Sequence, residues 1–250
     1  MKKNKIYNFL ILMLLYIAFA CFPFELIFPN SNILCLWLRI GVQIVFLLSS
    51  FFIVKFKTDF DLKLQKRNLK LALILLPTII VVSSNFFYLI FVRTDIKISY
   101  SSEILLKILL TIFVVLNEEF IFRLILINNI NDCSNWKKIL ISASLFGLCH
   151  LTTFLSTFNV YDLIIPVYTF TFGVLLGIIF VKTNSIEMCI FFHFLFNLIN
   201  SILFEMIVPG ISNIGFYFLG NAIPVIFVVI YLGVLLLSKK ITINTKNEIR

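Results

Sequence analysis

The chain has 250 residues, of which 61% are hydrophobic, 13% are charged and 30 are phenylalanine, and its formal net charge is +9. A water-soluble domain of this length has no interior able to hide so much apolar surface, so a soluble globular protein is excluded and an all-α, polytopic membrane protein is expected. The basic excess by itself would suit a nucleic-acid partner, but the placement of Lys and Arg along the chain accounts for it otherwise.

Apolar windows of about 20 residues predict eight spans, near 6–28, 33–54, 71–92, 103–128, 138–155, 162–181, 185–206 and 214–237. The first opens on MKKNK, exceeds the usual length of a secretory signal and lacks a persuasive small-residue cleavage site, so it is read as an uncleaved helix. Between the second and third spans, KFKTDFDLKLQKRNLK (55–70) reads as a solvated loop or short surface helix drawn to anionic lipid. This segment, the N-terminal lysines, Lys137, Lys138, Lys182 and the C-terminal basic residues all fall on one side of an eight-span topology, whereas Arg93 and Lys97 fall on the other. The positive-inside rule therefore puts both termini in the cytoplasm, and the basic charge orients the protein without calling for nucleic acid. The sequence has no visible repeat, flexible linker or soluble module, so residues 1–250 are expected to form a single integral membrane domain. Its five cysteines (21, 35, 133, 149 and 189) are scattered, with no CxxC, and read as small core residues.

Inside a lipid-spanning helix a formal charge costs roughly 2.5–3.5 kcal/mol on insertion scales, so the few polar residues within the spans carry the information. Arg39 and Lys107 are single charges that can pair or reach the interface, while Glu25, Glu103, Glu187 and Glu205 lie near span ends. The stretch LNEEFIFRLIL (116–126) differs, because it sets Glu118, Glu119 and Arg123 in one span. On a helix Glu119 and Arg123 are i and i+4, acid before base, which is the favourable order for a pair. Glu118 points about 100° away and is the candidate general base. The only two histidines, His150 and His193, also fall inside spans, and His193 shares a helical face with Asn197 four residues on. Counting residues from the cytoplasmic ends places Glu118, His150, His193 and Asn197 at a similar depth, in the inner half of the bilayer, where unpaired polar groups are tolerated only around a protein-lined cavity. Such a cluster suits water activation by Glu and His, with His and Asn donating to an oxyanion.

These segments resemble the signature of the CPBP family, the CAAX prenyl endopeptidases and bacteriocin-processing membrane proteases: EExxxR as Glu118, Glu119 and Arg123; FxxxH as Phe146 and His150; HxxxN as His193 and Asn197. The resemblance covers roughly 103–203, a motif-bearing catalytic core within an eight-helix fold, and includes GVLLGIIFVKTNSI (173–186), similar to the family's connection between its sixth and seventh helices. Leu124 stands where many members have Gly. The resemblance implies that Glu118 and His150 activate the hydrolytic water and that His193 and Asn197 form the oxyanion hole. Glu119, Arg123 and Phe146 are then supporting residues. No cofactor is expected; the alternative is zinc on Glu118, His150 and His193, although Asn is a poor zinc ligand and HExxH is absent. A Cys189 or Cys149 nucleophile is a weaker reading on spacing. The expected function is an intramembrane endopeptidase of a bacterial plasma membrane, with membrane lipid around it. Its substrate would be a peptide or lipidated protein, in CAAX-type processing or in bacteriocin maturation or self-immunity. The alternative is a non-enzymatic immunity, binding or transport protein of the membrane.

Overall fold

The structure is a computed structural model that describes residues 3–58, 60–62, 103–131, 133–203, 226, 229–231 and 233–234. Among the described residues there is no strand. Among the described residues, four helical stretches are long and apolar enough to cross a membrane: Lys5–Ile27, Asn32–Phe56, Asn135–Leu155 and Ile164–Thr183. The chain is thus a multi-pass, all-helical membrane protein. The predicted span 71–92 lies outside the described residues, as does most of 214–237; residues 226, 229–231 and 233–234 of the latter are helical.

The chain divides into two compact units, one made of residues 1–63 and 100–131, the other of 64–99 and 132–250. In the first unit, α1 (Lys3–Ala20) breaks before Pro23, which has no N–H to continue the ladder, and a single turn, α2 (Phe24–Ile27), follows. Next come α3 (Asn32–Lys57) and α4 (Ile104–Glu119), which pack against each other. Helix α2 is tied to α3 by Arg39, whose Nη2 lies 2.7 Å from Glu25 Oε2, so both charges flagged in the sequence find a partner. Of the 55–70 segment, residues 63–70 lie outside the described residues; Lys55, Phe56 and Asp61 are exposed, and the backbone at Asp61 is tied to Asn129. The Asp61 N–H donates to Asn129 Oδ1 at 2.8 Å, Asn129 Nδ2 donates back to the Asp61 carbonyl at 3.1 Å, and Phe60 is buried.

The predicted span 103–128 is not one regular helix. After Glu119 the hydrogen-bond register slips and Phe120–Ile127 forms a π-helix, π1. The span 185–206 behaves alike: α8 (Ile186–Asn197) passes into π2 (Leu198–Leu203) directly after Asn197. Such wider turns are rare and concentrate at functional sites.

In the second unit, α5 (Asn135–Cys149) starts on Ser134, whose hydroxyl accepts from the Lys137 N–H. It ends one residue before His150, and α6 (Leu151–Thr157) follows. A 3-10 turn (Val160–Leu163) leads into α7 (Ile164–Thr183), which closes on Asn184 in the left-handed conformation, φ 52°. Ser185 then caps α8 by accepting from the Met188 N–H. Helices α5 and α7 approach closely through glycines: a Cβ on Gly177 would lie 2.9 Å from Ile139 Cγ2, and one on Gly147 would lie 2.9 Å from the Pro166 carbonyl oxygen. Outward-facing positions in both units are apolar, among them Leu14, Trp37 and Phe52 in the first and Leu148, Leu155 and Phe191 in the second. Lipid covers such surfaces without the cost that water would impose.

Candidate active site

The acidic motif belongs to the first unit. Asn117, Glu118, Glu119 and Arg123 are all buried at the end of α4 and in π1, and Arg123 is the largest fully buried side chain among the described residues. Charges at this depth persist only when paired and hydrogen-bonded. Arg123 Nε donates to Glu119 Oε2 at 3.1 Å, the i, i+4 pair expected from the sequence, although Arg123 sits in the π-helical turn rather than in an α-helix. Glu118 accepts a hydrogen bond from the Tyr16 hydroxyl of α1, O to Oε1 3.1 Å. One residue earlier, Asn117 Nδ2 donates to the Gln43 carbonyl at 3.0 Å and to Gln43 Oε1 at 2.6 Å, locking α3 to α4 beside the two acids. Three consecutive polar residues of α4 thus have three different jobs: one fixes a helix, one meets a phenol and one neutralises an arginine.

The two histidines belong to the second unit and are arranged around Phe146. Its ring meets His150 at 4.8 Å between centroids and 72°, and meets His193 at 5.7 Å and 89°, edge to face in both cases. The Phe146 carbonyl oxygen lies 2.9 Å from His150 Nδ1. A carbonyl only accepts, so Nδ1 carries the hydrogen, and neutral His150 presents Nε2 as a proton acceptor. His150 forms the turn between α5 and α6, with φ −79° and ψ −5°, rather than lying within a helix as the span 138–155 had suggested. The ring packs back on the last turn of α5 through Phe146, and the backbone N–H bonds the Gly147 carbonyl at 3.0 Å.

His193 is buried in α8 between two aromatic rings, the second being Phe172 at 5.5 Å. Phe172 in turn stacks on Phe196 at 4.3 Å. Asn197, half-buried, is the last residue of α8 and stands one turn beyond His193 on the same face. Gly173 supports this arrangement, since a Cβ there would lie 3.1 Å from Phe146 Cδ1 and 3.2 Å from Ala143 Cα. Cys189 is spent on packing: it is buried, and its thiol points at the Leu176 and Ser185 carbonyl oxygens at 3.5 and 3.6 Å.

Each unit therefore assembles its own share of the motif residues: Glu118, Glu119 and Arg123 in one; Phe146, His150, His193 and Asn197 in the other. Sequence reasoning missed Tyr16 and Gln43, which reach the acidic motif from distant helices. Gln43 was a visible signal, an amide inside an apolar span, but its partner 74 positions away was not; Tyr16 lies in a run of apolar residues that gives no sign of its partner.

Residues 100–199 match the family model described as type II CAAX prenyl endopeptidase Rce1-like. No curated protein matches the chain. The matched segment holds all seven motif residues and carries them on α4, π1, α5, the α5–α6 turn and α8. Residues 100–199 are thus an Rce1-like domain, that of the type II CAAX prenyl endopeptidases, a family of proteases.

Proposed function

We propose that the protein is an intramembrane endopeptidase in which Glu118 and His150 act on one water and His193 and Asn197 receive the oxyanion. The observation that carries this reading is the family match over 100–199, which contains EExxxR, FxxxH and HxxxN in order. Glu118 or His150 Nε2 takes a proton from water as its oxygen attacks the scissile carbonyl carbon. The carbonyl oxygen becomes an oxyanion and accepts hydrogen bonds from a His193 ring N–H and from Asn197 Nδ2. The intermediate then collapses, the C–N bond breaks, and the abstracted proton passes to the leaving amine. The His150 Nδ1 contact with the Phe146 carbonyl supports the assignment of His150 as an acceptor. The fully buried Glu119–Arg123 pair supports the assignment of Glu119 to structure, not to chemistry.

Metal-free activation is the reading we adopt, since the HxxxN pair supplies two oxyanion donors; zinc on Glu118, His150 and His193 is the competing arrangement, and a chelator separates the two. The substrate is a peptide or lipidated protein, cut in the inner half of a bacterial plasma membrane by a chain with eight spans and both termini in the cytoplasm. Maturation of a bacteriocin, or self-immunity towards one, is the role assigned where prenylated proteins are absent. Purified protein in nanodiscs, incubated with a library of farnesylated and unprenylated peptides and read by mass spectrometry, tests the proposal. Discrete cleavage products support it. Intact peptides throughout, with cellular activity retained after His150→Ala, favour a binding protein.

A further inference from the structure

We infer that Tyr16, on α1 and outside the family-matched segment, is a positioning residue for Glu118, its hydroxyl fixing the plane of the carboxylate that serves as general base. The inference rests on the reading of Glu118 given above. Three observations carry it.

The first is the bond itself, Tyr16 Oη to Glu118 Oε1 at 3.1 Å, between two buried side chains 102 positions apart in sequence. The second is where Tyr16 stands. The buried residues of α1 are Phe9, Leu12 and Tyr16, a stripe at i, i+3 and i+7, while Ile11, Leu14, Leu15 and Phe19 face outwards. Phenylalanine would fill the last position of that stripe equally well, and a phenol hydroxyl in an apolar setting is unfavourable unless it finds a partner. Its partner is the first glutamate of EExxxR. The third is rigidity. Phe46 of α3, itself buried, packs on the Tyr16 ring at 5.4 Å between centroids, so a side chain with only two free dihedrals is held on both sides.

The two adjacent acids therefore meet donors of different kinds. Glu119 meets a guanidinium, whereas the Tyr16 phenol orients Glu118 without itself bringing a charge, which suits a group that must accept a proton. Helix α1 thus contributes to the site in addition to anchoring the chain.

The test uses the full chain in nanodiscs and fluorogenic peptides, one farnesylated and one not, comparing wild type, Tyr16→Phe and Phe9→Leu. Tyr16→Phe keeps the ring and its packing and removes only the hydroxyl. It is expected to lower kcat by about 10- to 100-fold, the range of a lost hydrogen bond to a charged group, with KM within about twofold. Phe9→Leu disturbs the same stripe but keeps the hydroxyl, so it should lower the unfolding temperature and leave kcat within about twofold. An active wild type with Tyr16→Phe at full kcat overturns this inference and spares the protease reading. Equal losses of kcat in Tyr16→Phe and Phe9→Leu also overturn it, because α1 would then act through packing alone. A wild type that cleaves neither peptide removes the protease reading and this inference with it.

Discussion

Arg123 Nε lies 3.1 Å from Glu119 Oε2, and neither side chain has any exposed surface. The pair bridges the point where α4 becomes π1, so it holds the register slip in place as well as cancelling two charges. Removing one partner takes away a charge-assisted bond that compensates the burial of the other. Glu119→Gln or Arg123→Met alone should therefore destabilise the protein by about 3–5 kcal/mol, while the double variant recovers most of that loss. Thermal unfolding in detergent, followed by helical circular dichroism, measures all three. Single variants as stable as wild type would show that the pair contributes nothing.

The glycines of α3 and α5 should respond in opposite directions to alanine. Gly147 faces the Pro166 carbonyl oxygen at 2.9 Å from an added Cβ, an atom of the backbone that cannot swing aside, so Gly147→Ala should cost about 1–3 kcal/mol by overpacking. Gly41 is an α3 residue with nothing within 4 Å of an added Cβ, and Gly41→Ala should stabilise by roughly 0.5–1 kcal/mol through reduced chain entropy. Unfolding temperatures moving in the same direction for the two variants would contradict this packing.

The contact between His150 Nδ1 and the Phe146 carbonyl predicts a tautomer. Nitrogen-15 spectra of histidine-labelled protein, with His193→Gln used to isolate the His150 signal, should show neutral His150 protonated at Nδ1 and bare at Nε2. A proton on Nε2 would contradict its assignment as a base through that atom.

Asn197 is assigned as an oxyanion donor, so it should matter to the transition state and little to binding. Asn197→Ala should lower kcat by about 10²–10³ with KM nearly unchanged, the loss typical of one oxyanion-hole donor. Steady-state kinetics on a cleaved peptide decides it. A variant that raises KM at constant kcat would make Asn197 a substrate-binding residue instead.

Much of the molecule was legible from hydropathy, because a run of about 20 apolar residues has few fates besides a spanning helix. The helices at Lys3–Ala20, Asn32–Lys57 and Ile164–Thr183 fall close to where the apolar windows put them. Hydropathy could not show the π-helical turns after Glu119 and Asn197, since a slip in hydrogen-bond register changes neither composition nor length. It also could not show that His150 sits at a break, because Leu151, Phe154 and Leu155 keep the helical spacing of apolar residues across it. The Glu119–Arg123 pair was legible because both members lie within one helical turn. The Tyr16–Glu118 bond was not, since an all-round apolar helix gives no sign of which face is buried. The fold, rather than local spacing, selected that partner.

Glu118 as the base of a peptidase stands or falls with Glu118→Gln. The variant keeps the shape of the side chain and removes only its capacity to take a proton. Wild type and variant are reconstituted in nanodiscs with a peptide that the wild type cleaves, each with and without a zinc chelator. Cleavage should fall by about 10²–10⁴ in Glu118→Gln, the range for a lost general base, at an unchanged unfolding temperature, and the wild-type rate should withstand the chelator. Full cleavage by Glu118→Gln would contradict the account, and wild-type cleavage abolished by the chelator would hand the water to zinc.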